Sequence, residues 1–240
     1  AIHLLDDARK AAVQIVQSGV AKIEREKRLT LTDHENKTYH PAAIIIASGA
    51  SPRKLGLRGE EEFIGRGVSR CATCDGGFFR GRDVVVVGGG DGAVHEALVL
   101  AKTSRRVVMV CRSPFKAKRD YIDKLAAREN VSFVWDSEVS AIIGGDGVCG
   151  IRLRNVKDGA TSDIECAGLF PFIGATPNTD FVPASLLMAT RHVQTSPDFA
   201  TLDSRVFAVG AVRADYGGNV VQAMAEGVGA AEAAARLLLH

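Results

Sequence analysis

The chain has 240 residues, of which 46% are hydrophobic and 24% charged, and its formal net charge at pH 7 is +2. This composition is typical of a globular protein of one or two domains and excludes a wholly disordered chain. The near-neutral charge argues against nucleic acid as a partner, and no apolar run is long enough to cross a membrane. An odd count of five cysteines, without a signal-peptide pattern, predicts a cytoplasmic location.

The first predicted element is a helix, because apolar residues between Leu4 and Ala12 recur at helical spacing. Residues 13–16 then alternate like a strand, and no turn residue stands between the two patterns. About two to six connecting residues are usual between packed elements, so we expect that residues are missing between Ala12 and Val13. The alternative is a helix that continues through Val13.

Strands follow in the next part of the chain. Val20–Glu24 and Leu29–Thr32 predict two strands joined by a charged turn, and Ala42–Gly49 predicts a buried parallel strand. Ser51-Pro52 and the segment from Gly56 to Gly67 form a polar connection punctuated by glycine, which is typical of a linker into a second domain.

A βαβαβ pattern comes after this linker, and its order is that of a doubly wound parallel sheet. Its predicted strands and helices begin, in chain order, at Asp83, Ala93, Arg106, Tyr121 and Val131. Gly150–Val156 and Ile164–Ile173 predict two further strands, and residues 174–178 form a second linker. The remainder predicts a strand at Val206–Val209 and a helix from about Val221 to Leu239.

The two linkers predict an α/β fold with two domains. One domain is discontinuous and comprises residues 1–67 and 175–240, and the other is inserted into it and comprises residues 68–174.

A glycine motif, Gly88-x-Gly90-x-x-Ala93, joins a valine-rich strand to a helix. Gly88 permits the tight turn, Gly90 lets backbone amides approach a pyrophosphate, and Ala93 lets the helix pack close to the strand. The helix N-terminus adds partial positive charge. We predict that this turn, including Asp91 and Gly92, binds a dinucleotide, the alternative being a plain strand-to-helix turn.

The segment after the second strand of the pattern indicates which dinucleotide is bound. An NAD site usually carries Asp or Glu there, about 20 residues beyond the glycines. Here a carboxylate is absent and four basic residues cluster: Arg112, Lys116, Lys118 and Arg119. We predict NADPH over NADH, with Arg112 and Lys116 near the 2′-phosphate, the alternative being a solvated basic loop.

Two cysteines form a C-x-x-C pair, Cys71 and Cys74, which predicts a redox-active dithiol. We expect Asp75 to exchange protons with a thiolate during turnover, and Arg70 to favour that thiolate. Half of a zinc site is the alternative, but neither a second C-x-x-C nor a spaced histidine pair completes four ligands, so no metal is predicted. The remaining cysteines are expected to be buried packing residues: Cys111, Cys149 and Cys166.

The segment from Arg66 to Gly76, which contains Cys-Ala-Thr-Cys-Asp-Gly, resembles the low-molecular-weight thioredoxin reductases of bacteria and plants. Ala47–Arg53 resembles the Ala-Thr-Gly flavin segment of that family. Gly210–Arg213 resembles the C-terminal flavin segment, and the similarity extends over nearly the whole chain.

The resemblance implies two Rossmann-like domains, with an NADPH domain that carries the cysteine pair inserted into an FAD domain. It implies that NADPH reduces FAD, that FAD reduces the disulfide, and that the dithiol reduces a thioredoxin-like protein. By this resemblance Cys74 faces the flavin, Cys71 attacks thioredoxin, and Asp75 is the proton donor. The resemblance also implies a homodimer whose domains rotate between the half-reactions.

Flavin contacts are also implied by the resemblance, and they are Ala47, Gly49, Gly210, Ala211, Asn219 and Val220. The strand and Gly-x-Gly-x-x-Gly turn that grip FAD in the family are not represented, so we expect the N-terminal FAD-binding part to be missing. Ala211 and Gly218 replace an Asp and an Arg of the family. These departures leave open a non-flavin paralogue that acts as a dinucleotide-binding or dithiol module.

Overall fold

The computed structural model describes residues 2–25 and 27–239 of the chain. Its elements, in chain order, are α1 (Ile2–Lys10), β1 (Val20–Arg25), β2 (Leu29–Asp33), β3 (Thr38–Tyr39), β4 (Ile44–Ile46), β5 (Ala50–Pro52), α2 (Ala72–Asp75), β6 (Asp83–Val87), α3 (Asp91–Leu100), β7 (Arg106–Cys111), α4 (Arg119–Ala126), β8 (Val131–Trp135), β9 (Ser137–Gly144), β10 (Val148–Asn155), β11 (Thr161–Glu165), β12 (Gly168–Pro171), β13 (Ala175–Pro177), β14 (Val206–Ala208) and α5 (Val220–Leu238).

The chain divides into two compact units. The discontinuous unit consists of two segments, the chain up to Ser51 and the chain from Pro177 onward. The inserted unit consists of Pro52–Thr176. The inserted unit therefore begins before the predicted residue 68. The reason is that Phe63, in the segment taken as a linker, is buried in the same apolar cluster as Val148 of this unit.

A parallel sheet with strand order β12-β6-β7-β8 forms the centre of the inserted unit. The predicted βαβαβ pattern is present as β6, α3, β7, α4 and β8. Val84 and Val86 of β6 pack in the same cluster as α3, whereas Val85 and Val87 pack with residues of β9 and β10 on the opposite face. Strand β6 is a continuous valine run because both of its faces are covered.

The second layer of this unit is an antiparallel sheet with strand order β11-β10-β9. Strand β9 was not predicted, and the single strand predicted at Ile164–Ile173 is wrong. Within it, β11 pairs with β10, whereas β12 pairs with β6 in the parallel sheet. The change of partner occurs between Cys166 and Ala167. The Cys166 amide still donates to the Cys149 carbonyl of β10, whereas the Ala167 amide donates to the Asp83 carbonyl of β6. The segment Ile164–Ile173 is largely apolar on both sides of this point, so the residue pattern hides the junction.

In the discontinuous unit, β4 and β14 pair in parallel, so that Ile44–Ile46 lies beside Val206–Ala208. Distant segments of the sequence thus share one sheet. Strands β1, β2 and β3 form an antiparallel sheet, of which β1 and β2 were predicted. Helix α5 packs through Ala230 and Ala234 against Phe207 and Val209.

The end of α1 corrects the expectation for Ala12 and Val13. Ala12 has a left-handed backbone with φ of 57°. Its amide donates to Arg9, and the Val13 amide donates to Ala8, each at 3.0 Å. This is a Schellman-type helix end, which turns the chain at one residue without a separate loop. Residues 13–16 form no strand in the structure, so the basis for expecting missing residues at this point was wrong.

A substitution at Gly67 can test whether the segment before residue 68 is an integral part of the inserted unit. Its φ is +122°, and a Cβ there would lie 2.5 Å from Val148 Cβ. Gly65 also has positive φ, at +75°, but a Cβ there meets no atom within 4 Å. We expect Gly67→Ala to lower the free energy of unfolding by about 3 kcal/mol and Gly65→Ala by about 1 kcal/mol, measured by urea denaturation. Equal losses would contradict close packing at Gly67.

Candidate functional site

The cysteine pair forms a disulfide at the start of the short helix α2, with the two Cα atoms 5.3 Å apart. Cys71 is the N-cap of this helix, and its sulfur accepts a hydrogen bond from the Cys74 amide at 3.1 Å. Cys74 is exposed and Cys71 half-buried, so the disulfide can be reached by another molecule.

Asp75 is held beside the disulfide by a residue that the sequence analysis missed. The Ser69 hydroxyl donates to Asp75 Oδ2 at 2.7 Å and accepts the Cys71 amide at 3.1 Å. Ser69 is buried. It therefore fixes the position of the carboxylate relative to the first cysteine.

Glu96 was also missed, and it connects the disulfide helix to the helix of the glycine motif. The amide of Ala72 donates to Glu96 Oε2 at 2.6 Å. A carboxylate at this position satisfies an otherwise unpaired N–H group at the start of α2 and complements the partial positive charge there. Glu96 belongs to α3, so one helix contacts both candidate sites.

Arg70 lies beside two carboxylates. Its Nη2 atom lies 2.7 Å from Glu61 and 3.7 Å from the buried carboxylate of Glu60. Glu60 in turn accepts the amides of Leu55 and Gly56. These two carboxylates offset part of the positive charge that we expect to favour a Cys71 thiolate.

The glycine motif lies at the carboxyl end of β6. Gly88 has φ of +132°, and a Cβ there would lie 2.2 Å from the carbonyl oxygen of Phe172. Gly90 is the N-cap of α3, and a Cβ on Gly90 or Gly92 would meet no protein atom within 4 Å. Ala93 is buried against the sheet. The turn therefore excludes a side chain at Gly88 for packing reasons and leaves open space at Gly90 and Gly92.

The basic loop after β7 is tied to this turn by hydrogen bonds. The Lys116 amide donates to the Gly89 carbonyl at 2.8 Å, and the Cys111 thiol lies 3.2 Å from the Gly88 carbonyl. The carboxylate of Asp91 accepts the Lys118 amide at 2.7 Å. Asp91 thus holds the loop in place, which is a role that the glycine pattern alone does not predict.

A cavity of about 790 Å³ opens between the turn and the loop. It is lined by Gly88, Gly90, Gly92 and Ala93, and its basic lining residues include Arg53, Lys54, Arg112 and Lys116. Its volume lies in the range of small-molecule and cofactor sites. Open space at the glycines, a helix N-terminus and several cations together suit a dinucleotide.

The flavin contacts implied by the resemblance lie in the discontinuous unit. Ala47 follows β4 and Gly210 follows β14, and the Val209 amide donates to the Ile46 carbonyl, so both segments leave the same edge of one parallel sheet. The Gly210 amide donates to Glu226 Oε2 of α5 at 2.7 Å. The start of α5 is capped by Asn219, and Val220 is its first helical residue.

The remaining flavin contacts fit the cofactor only in part. Gly49 has φ of 67° and Gly218 has φ of 84°, and both values favour glycine. At Gly218 the backbone therefore suits the glycine that replaces an Arg of the family. Ala211 presents a methyl group in place of a carboxylate. Residues 2–25, 27–51 and 177–239 contain no Gly-x-Gly-x-x-Gly turn between a strand and a helix. We therefore derive no chemical step through a flavin.

The other cysteines differ from one another. Cys111 and Cys166 are buried as expected, but Cys149 is exposed, contrary to prediction. Burial raises the pKa of the Cys111 thiol to about 11 and that of the Cys166 thiol to about 12. Both remain protonated near neutral pH and are poor nucleophiles.

Two absences hold for the residues that the structure describes. No group of three or more His, Cys, Asp or Glu side chains in residues 2–25 and 27–239 is placed to hold a metal ion. Over the same ranges, no helix is long and apolar enough to cross a membrane.

A dinucleotide turn and a disulfide in one unit define a class, the nucleotide-dependent disulfide oxidoreductases. Residues 5–227 match the family model described as pyridine nucleotide-disulphide oxidoreductase. The chain is 39% identical over 198 residues to thioredoxin reductase from Treponema pallidum, covering 82% of this chain and 64% of the relative. It is 36% identical over 227 residues to thioredoxin reductase from Listeria monocytogenes, covering 93% of this chain and 71% of the relative.

A solved structure gives the same result. The crystal structure of Lactococcus lactis thioredoxin reductase matches with a TM-score of 0.80 and 30% identity, covering 98% of this chain and 79% of that one. The chain belongs to the low-molecular-weight thioredoxin reductase family. It spans about two thirds of the length of the curated relatives named above, at 64% and 71%.

Gly90 allows the cavity to be tested without disturbing the fold. Its φ of −89° and ψ of 177° suit any residue, and a Cβ would project into open space. We expect Gly90→Val to weaken NADPH binding about tenfold or more, measured by calorimetry, while the inserted unit stays folded with a thermal midpoint only a few degrees lower, because Val is a poorer helix N-cap than Gly. Gly88→Ala should instead unfold the inserted unit, because its Cβ would overlap the Phe172 carbonyl. Unaltered binding by Gly90→Val would place the nucleotide elsewhere.

Glu226 makes the stability of the discontinuous unit depend on pH. The Arg213 guanidinium, 2.8 Å away, lowers the pKa of Glu226 from 4.5 to about 2. Stability from this pair is present above pH 4.5 and is lost as the pH falls towards 2. We expect Glu226→Gln to cost about 3 kcal/mol at pH 7 and to flatten this acid dependence, measured by urea unfolding across pH. Glu232→Gln, at an exposed position of the same helix, is the control and should behave like the wild type.

Proposed function

We propose that this chain acts in a thioredoxin-disulfide reductase-like reaction. NADPH would be the source of the electrons, FAD, where it is bound, would supply their transfer to the Cys71–Cys74 pair, and the dithiol would reduce a protein disulfide. The observation that carries the proposal is that an accessible disulfide lies in the same unit as a nucleotide-sized cavity. Helix α3 contributes Glu96 to the first site and its N-terminus to the second.

The dithiol step follows from thiol–disulfide exchange. The Cys71 thiolate attacks one sulfur of the partner disulfide, and the other partner sulfur leaves as a thiolate that takes up a proton. The Cys74 thiolate then attacks Cys71, which releases the second partner thiol and restores the Cys71–Cys74 disulfide. Asp75, held by Ser69, is the proposed group that exchanges protons with these thiolates.

The nucleotide would be held by the glycine turn, which includes Asp91 and Gly92 and exposes backbone amides to a pyrophosphate. Arg112 and Lys116 would contact the 2′-phosphate. NADPH bound there supplies a hydride. The family members bind FAD as the hydride acceptor, and the proposed flavin contacts of this chain are Ala47, Gly49, Gly210, Ala211, Asn219 and Val220.

The proposed partner is a thioredoxin-like protein that presents a disulfide. The proposal includes a homodimer and a cytoplasmic location. The free cysteines support this location, because thiols stay reduced in that compartment.

The second candidate function is a non-flavin module that binds a dinucleotide or presents a dithiol. The methyl group of Ala211 at the position of the family's Asp favours it. A visible absorbance spectrum of the purified protein separates the two functions, because bound flavin absorbs in the visible range and a dithiol does not. A spectrum without flavin bands after incubation with FAD would favour the second function.

Single cysteine variants test the exchange step without any flavin. The protein is reduced chemically, freed of reductant and mixed with oxidised thioredoxin, and the thioredoxin thiols formed are counted. We expect wild type and Cys149→Ser to transfer electrons equally, and Cys71→Ser to transfer none. Cys74→Ser should instead accumulate a mixed disulfide between Cys71 and thioredoxin, visible by mass spectrometry. Transfer by Cys71→Ser at the wild-type rate would refute the proposed role of the pair.

A further inference from the structure

A carboxylate lies in the nucleotide cavity where the sequence places only basic residues. Glu138, in β9, lines this cavity together with Arg112, Ser113 and Lys116. Its side chain is 28% exposed. Because β9 follows the third strand of the βαβαβ pattern, its position beside the loop after β7 depends on how the antiparallel sheet packs.

Two arginines contact the Glu138 carboxylate. Arg154 of β10 stands directly opposite it in the strand register and forms an ion pair with Oε1. On the other side, Oε2 lies 4.0 Å from Nη1 of Arg112. Arg154 thus holds the carboxylate at a fixed place, from which its second oxygen faces the guanidinium of Arg112.

Of the four basic residues in the loop, Arg112 and Lys116 line the cavity. Arg119 is engaged by Asp123 at 2.9 Å, and the amide of Lys118 is bound by Asp91. The cationic end of the cavity therefore has Arg112 beside an acidic residue, so its positive potential is lower than the run of basic residues suggests.

We propose that Glu138 is a specificity-determining residue that reduces the preference of this cavity for NADPH over NADH. The inference rests on the proposed function, in which Arg112 contacts the 2′-phosphate. Glu138 competes with that phosphate for the Arg112 guanidinium and repels its negative charge. A nucleotide without the phosphate meets no such competition, and a carboxylate can accept hydrogen bonds from ribose hydroxyls.

The test measures binding rather than turnover. The affinities of the purified full chain for 2′-phospho-ADP-ribose and for ADP-ribose are determined by calorimetry. We expect Glu138→Gln, which keeps the size of the side chain and removes its charge, to bind the phosphorylated ligand about threefold to tenfold more tightly. Binding of ADP-ribose should stay the same or weaken.

Asp163→Asn is the matched control, because it removes one negative charge from the same antiparallel sheet. Asp163 pairs with Arg152 of β10 at 2.8 Å, as Glu138 pairs with Arg154, but it does not line the cavity. We expect this variant to leave the ratio of the two affinities at the wild-type value. A ratio that rises equally in both variants would show a general charge effect and overturn the inference.

A double variant tests whether the effect acts through Arg112. In an Arg112→Ala background, Glu138→Gln should raise the affinity for the phosphorylated ligand by less, because only the direct charge repulsion is then removed. Persistence of the full gain would overturn the competition. If Glu138→Gln leaves the ratio unchanged while ADP-ribose still binds, the inference fails and the proposed nucleotide site stands. If wild type binds neither ligand, both the proposed site and the inference fail.

Discussion

The absence of a side chain at Gly88 is the constraint on which the inserted unit depends. Its amide donates to Val110 of β7, and the neighbouring Val87 carbonyl accepts the Phe172 amide beyond β12. Three parallel strands therefore end together around one residue, at a separation that leaves no room for a Cβ. The close approach directs the chain into α3 with its N-terminus facing the cavity, and it brings the loop after β7 within hydrogen-bond distance of the turn.

Helix α3 contacts both candidate sites of this unit, the cavity and the disulfide helix. Its first residue, Asp91, holds the basic loop, its buried Ala93 and Ala97 pack on the sheet, and Glu96 binds the amide of Ala72. This helix therefore links the cavity that we propose for the nucleotide to the disulfide.

The discontinuous unit is organised by Glu226 in a comparable way. One buried carboxylate binds the amide of Gly210, the guanidinium of Arg213 and the side chain of Gln222, so that α5 is attached to the edge of the sheet formed by β4 and β14. The segment that resembles the family's flavin segment is therefore packed in place, although Ala211 lacks the family's carboxylate. The contacts of Glu226 stabilise the fold of this unit. The missing carboxylate at Ala211 bears instead on the affinity for a cofactor, because it removes a hydrogen-bonding group.

What the sequence alone determined was local. The βαβαβ order, the glycine turn and the C-x-x-C pair were predicted correctly as structural features, because periodicity and spacing act between residues that are close in the chain. The tertiary structure decided which distant side chains meet: Glu96 at the disulfide helix, Glu138 beside Arg112, and the carboxylates that offset Arg70. It also divided Ile164–Ile173 between two sheets and left Cys149 exposed. These features depend on strand partners and on the packing of one layer against another, and a residue pattern along one segment carries no information about them.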